Sequence, residues 1–238
     1  YEIKECDWSS DVCSSDLPNK ELFKDQIDSR LTNLPLTEEE VRSIEILLNE
    51  NSYKVNSFIQ EEATSQKYLN LENSEIIHFA THSFYRKVNY IEEGENAAWF
   101  NTGLFLANSL TLSEDKKTVL YNSDECLTAW EIATKELPNT NLVVLNVCNS
   151  NDGLYLNIGE QIGVVTSFMI AGAKNVMATQ WDLYDYYSKE FIKMFYEKYM
   201  KCGILWKSLN FAQKQFSQMH QHPFYWGAYI LLENNFTE

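Results

Sequence analysis

Two short runs, Ile76–Thr81 (Ile-Ile-His-Phe-Ala-Thr) and Leu142–Val147 (Leu-Val-Val-Leu-Asn-Val), are apolar at nearly every position rather than at every second one. A strand with one wet face alternates, whereas a strand covered on both faces does not need to. Helices on crossover connections supply such cover, so the runs point to a mostly parallel sheet between helical layers. The intervening segments fit that plan. Thr37 reads as a helix cap with Glu40 completing a capping box, followed by an apolar stripe of Val41, Ile44 and Leu48. Further helices are expected over 61–71, 123–134, 159–171, 184–200 and 204–220. Strands are expected over 52–58, 175–180 and 229–232, with an apolar run over 103–107 and a hairpin joining 110–112 to 119–121. Phe191, Phe195 and Tyr199 share helical spacing and are expected to face the core.

A chain of 238 residues that is 45% hydrophobic can bury a large core without staples. It holds no run of 18 apolar residues, so no membrane span is expected. Its start lacks the basic and apolar stretches of a secretory signal. Five cysteines without a CxxC spacing suit a reducing cytoplasm. The formal charge of −15 argues against a nucleic-acid partner and tolerates a basic protein one. Residues 6–17 (CDWSSDVCSSDL) differ in composition from the rest and resemble a translated sequencing adapter. Residues 1–17 are therefore read as a foreign or disordered leader and 18–238 as one domain. Cys6 and Cys13 leave open a metal or disulfide pair.

Both apolar runs end at reactive residues: the first leads directly into His82, the second into Cys148. In open α/β sheets, ligands bind beyond the carboxyl ends of the strands. If the two strands are neighbours, His82 and Cys148 project into one crevice. A thiol titrates near 8.5 when free, so a nucleophilic cysteine needs a nearby imidazole to take or balance its proton. The alternative is an inert buried cysteine and a hydrogen-bonded structural histidine.

The order of motifs resembles that of CHAT domains. Ile77-His78-Phe79-Ala80-Thr81-His82 is similar to the family's histidine motif, and 142–147 to the strand before its cysteine. Between them fall Gly103-Leu104-Phe105-Leu106-Ala107 and Leu127-Thr128-Ala129-Trp130-Glu131-Ile132. After them come Gly159-Glu160, Ala171-Gly172-Ala173, the run from Val176 to Trp181, and His222-Pro223-Phe224-Tyr225-Trp226. The resemblance implies a three-layer caspase-like α/β fold over 18–238 and a cysteine endopeptidase acting on a protein or peptide substrate. No cofactor and no metal are implied. Cys148 would be nucleophile and His82 its base, with the backbone N–H groups of Cys148 and Ser83 as oxyanion hole. It also implies a bacterial protein of defence or regulated proteolysis, with an upstream regulatory or TPR region, and the cysteine usage places it in the cytoplasm.

The sequence departs from the family at two places. Ser83 stands where the family has Gly, which raises the question of backbone strain. Asn149-Ser150-Asn151 replaces Glu-Thr-Gly. These departures keep a second reading open, a pseudoprotease that binds a partner without cleaving it. Trp181-Asp182-Leu183-Tyr184-Asp185 resembles a separase stretch that receives a basic side chain, so Asp182 and Asp185 are candidate substrate-binding residues. The alternative is that Asp182 caps the following helix. His78, four residues before His82, is a structural histidine or, with His82 and Cys148, a metal ligand; His220 and His222 form an HxH pair open to the same question.

Overall fold

The computed structural model describes residues 2–5, 36–85, 97–112, 119–122, 125–147, 153–155, 161–181 and 183–234. Along the chain run β1 (Glu2–Glu5), α1 (Thr37–Glu50), β2 (Asn56–Phe58), α2 (Ser65–Leu69), β3 (Ile76–Thr81), β4 (Ser83–Tyr85), α3 (Ala97–Phe100) and β5 (Thr102–Leu104). Then follow β6 (Leu110–Leu112), β7 (Val119–Tyr121), β8 (Leu127–Thr128), α4 (Ala129–Thr134), β9 (Leu142–Val147), β10 (Gly153–Tyr155) and β11 (Gln161–Gly163). The chain continues through α5 (Val164–Ile170), β12 (Asn175–Thr179), α6 (Asp185–Cys202), α7 (Leu205–Met219) and β13 (Tyr229–Glu233).

The central sheet has the order β13-β12-β9-β3-β1-β2, parallel throughout except for β13. All six side chains of β3 are buried, which is what its unbroken apolar pattern requires. One face carries Ile77, Phe79, Val143 and Leu145 against Tyr68 of α2, Ile132 of α4 and Phe168 of α5. The other carries Ile76, Ala80, Leu142 and Val144 against α1, α6 and α7, with Phe191, Phe195 and Tyr199 in the core. Two helical layers thus enclose one sheet, the three-layer arrangement expected.

Several local expectations need correction. Thr37 is the first helical residue of α1, its N-cap is Leu36 with no side-chain cap, and no capping box forms there. Glu40 is 1% exposed because it turns into the core toward buried donors, which a surface cap cannot match. A capping box does form on α4, between Thr128 and Glu131. The helix expected from 159 begins only at Val164, after the β10–β11 hairpin. The strand over 52–58 shortens to β2, and the helix over 61–71 to a 3-10 turn (Gln60–Glu62) and α2. The helix over 123–134 shortens to α4 behind β8. Glu2–Glu5, set apart above with residues 1–17, lies inside the sheet as β1, paired to β2 and β3. Residues 6–17, with Cys6 and Cys13, fall outside the described residues.

Candidate active site

The strands that end at the two reactive residues are neighbours. β3 and β9 pair in parallel over six positions, and the last pair is Thr81 with Val147. His82 and Cys148 follow these two residues directly in the chain, so both strands deliver the chain to the same edge of the sheet. Cys148, Asn149, Ser150, Asn151 and Asp182 lie outside the described residues.

The ends of both strands are pinned. The Thr81 hydroxyl donates to the Phe105 carbonyl at 2.6 Å, and the Phe105 N–H donates to the His82 carbonyl at 2.9 Å. The Gly103–Ala107 motif therefore serves as a bracket for the histidine. Its close approach demands glycine, because a Cβ on Gly103 would meet the Leu127 carbonyl oxygen at 2.2 Å. His82 is 3% exposed. On β12, the Thr179 hydroxyl donates to the Val147 carbonyl, the last before Cys148.

Ser83 opens β4 and pairs with Leu104 in an extended strand. Its φ is not among the positive values of the chain, so serine is accommodated here without the strain that its replacement of glycine suggested.

His78 commits both ring nitrogens: Nδ1 lies 3.2 Å from the Tyr196 hydroxyl and Nε2 2.8 Å from Glu40 Oε1. Facing a carboxylate, which can only accept, Nε2–H donates to Glu40, and Nδ1 shares a hydrogen bond with the Tyr196 hydroxyl. Asn146 Nδ2 donates to both Glu40 oxygens, at 2.9 and 2.7 Å, and the Tyr229 hydroxyl donates to Asn146 Oδ1 at 2.6 Å. Sequence reasoning missed Glu40, although its place on the apolar stripe with Val41 and Ile44 was a signal. His220 packs its ring against Tyr187 and Phe216, and His222 Nδ1 accepts the Phe224 N–H at 3.2 Å. Among the described residues no three His, Cys, Asp or Glu side chains cluster as metal ligands.

Beyond β12, Trp181 donates its indole N–H to the Phe224 carbonyl at 2.9 Å and stacks on the Phe224 ring, forming an aromatic wall with Tyr184. The N-cap of α6 is Tyr184, with no side-chain cap bond. Asp185, half-buried in the first turn of α6, accepts the Leu36 N–H at the start of α1. Burial, and then the Glu40 charge, raise its pKa to about 6. A cavity of about 590 Å³ lies at the opposite edge of the sheet, lined by Asn141, Asn175 and Trp206. It is remote from the strand ends that carry His82 and Cys148.

A mostly parallel sheet between two helical layers has the three-layer caspase-like architecture. The chain belongs to the CHAT domain family, whose model matches residues 15–234. That family is associated with the caspase-like peptidase group. No curated protein matches the chain. No helix among the described residues is long and apolar enough to cross a membrane.

Proposed function

We propose that the chain is a cysteine endopeptidase with Cys148 as nucleophile and His82 as general base. The observation that carries this reading is the β3–β9 register, in which Thr81 faces Val147 one residue before each reactive side chain. His82 takes the thiol proton, and the thiolate sulfur adds to a peptide carbonyl. The backbone N–H groups of Ser83 and Cys148 are the donors proposed for the resulting oxyanion. As the C–N bond breaks, the imidazolium returns its proton to the leaving amine. Water, deprotonated by His82, then releases the acyl group from sulfur as a carboxylate.

Support for a basic residue before the scissile bond comes from Asp182, which follows the end of β12 closely in the chain. Asp185 contributes less to this, since its carboxylate already holds the Leu36 amide. The wider role proposed is that of a cytoplasmic bacterial effector of regulated proteolysis or defence, switched by an upstream regulatory or TPR region. The extended backbone of Ser83 weakens the pseudoprotease alternative, which now rests on Asn149.

Alkylation by iodoacetamide, mapped by peptide, tests the reading. Cys202 needs care as a comparator, because its hydrogen bond with Ser208 Oγ at 3.4 Å lowers its thiol below the ordinary range. In a Cys202→Ser chain, Cys148 is expected to react at least about tenfold faster than buried Cys126 at pH 7 and to slow when His82 becomes Ala. Cys148 reacting at the rate of an ordinary exposed thiol, with or without His82, would remove the catalytic assignment.

A further inference from the structure

The polar cluster around Glu40 is unusual for its position. Glu40, His78, Tyr196 and Tyr229 are each no more than 1% exposed, and they sit on the sheet face otherwise filled by Val41, Ile44, Phe191 and Phe195. Replacing a buried, paired ionic group by apolar side chains of similar volume is often neutral or stabilising, so stability alone does not account for a carboxylate here. Its neighbours suggest another reason. Glu40 grips one residue from each reactive strand, His78 on β3 and Asn146 on β9. His78 precedes His82 by four residues and Asn146 precedes Cys148 by two. Ala80 lies opposite Asn146 in the ladder, so the grip acts within the last turns of pleat before both residues.

We infer that Glu40 is a positioning residue, which through His78 and Asn146 sets the spacing of the strand ends carrying His82 and Cys148. The inference rests on the proposed dyad and names what holds it. Backbone ladder bonds fix register but leave the strands free to twist about one another at an open end. A carboxylate with directional bonds to both strands restrains that twist. Tyr229 extends the restraint from β13 to Asn146, and Tyr196 ties His78 to α6. Each polar atom in this chain of bonds meets one of opposite sense, a requirement for such a network to hold one geometry.

The polarity of the network supplies its own test. Glu40→Gln keeps an acceptor at the Oε1 position for His78 and Asn146, but it sets an amide NH₂ where Oε2 accepted at 2.7 Å, so the arm to Asn146 trades its shorter bond for a donor–donor clash. Asn146→Asp alone sets two carboxylates together. The double substitution exchanges carboxylate and amide: the amide now on α1 donates to the carboxylate now on β9, which still accepts from Tyr229. The readout is the pH profile of iodoacetamide alkylation at Cys148, with the Cys126 rate and a thermal melt as controls for folding.

Each single variant is expected to slow Cys148 at pH 7 by about tenfold, to move the profile up toward an ordinary thiol near 8.5, and to leave Cys126 protected. The double variant is expected to recover to within about threefold of the parent. A folded Glu40→Gln chain with the parent profile, or a folded double variant that recovers nothing, overturns the inference. If a single variant does not fold, Tyr229→Phe removes one donor without changing shape. It is expected to slow Cys148 by about threefold, and a parent rate there overturns the inference equally. Should Cys148 in the parent itself react as an ordinary thiol, the peptidase reading fails and the positioning role with it. A reactive parent with unresponsive variants removes only the positioning role.

Discussion

Replacing Asp185 with Asn removes one charge and almost no volume, and the amide oxygen can still accept the Leu36 N–H. Burial and the Glu40 charge hold the parent carboxyl at about 6, against an ordinary 3.8. The folded chain therefore keeps this proton in a range where the unfolded chain has released it. Stability contributed by the protonated form is fully present below about pH 4 and is lost as pH rises toward 6, above which the ionised carboxylate opposes folding. A fully buried group with this difference would account for about 3 kcal/mol at 1.36 kcal/mol per pH unit. Asp185 is only half-buried, so solvent screening reduces the expected effect to about 1 kcal/mol. For a chain of this size that is about 2–4 °C in Tm. Melts of parent and Asp185→Asn at intervals from pH 4 to 7.5 provide the assay, and the difference between the two chains cancels the other carboxylates. The variant is expected to match the parent near pH 4 and to melt higher above pH 6. A difference independent of pH, or a less stable variant at pH 7.5, would show that Asp185 is not held against Glu40 in a poorly solvated place.

Gly103→Ala forces a methyl into the Leu127 carbonyl and the Phe84 ring; a loss of about 2–3 kcal/mol in urea unfolding is expected, and a loss under about 0.5 would mean the β4–β5–β8 ribbon is not built as described. Thr179→Val strips the donor from the Val147 carbonyl, which should cost about 1–3 kcal/mol and slow Cys148 alkylation, whereas unchanged stability would show that carbonyl to be otherwise satisfied. Profiling with a peptide library is expected to show cleavage after Arg or Lys, and a preference for Asp or Leu would exclude Asp182 from the substrate pocket.

What can be read from the sequence follows the length and depth of each signal. β3 and β9 are legible because burial on both faces writes an apolar residue at almost every position. α6 and α7 are legible because 18 and 15 residues carry several turns of a period. The three-residue strands β10 and β11 are too short to show any period, so the region before Val164 reads as helix. Glu40 misleads because Thr-x-x-Glu matches a capping box equally well. Its actual partners come from residues 38 and 106 positions away, which local pattern cannot reveal. Ser83 shows the converse: comparison with a glycine suggests strain, while the extended strand it begins asks for none.

The four residues of β1 have a practical consequence for anyone preparing the protein. They occupy a slot between β2 and β3, with Ile3 opposite Ser57 on one side and His78 on the other. A shortened version beginning at Pro18 would remove the whole of that rung. The strand bearing the histidine motif would then present an unpaired row of amides and carbonyls, a template for adhesion between copies. Expression boundaries chosen to discard residues 1–17 would thus exchange a rung of the sheet for a sticky flank, and a boundary that keeps Glu2–Glu5 is the safer design.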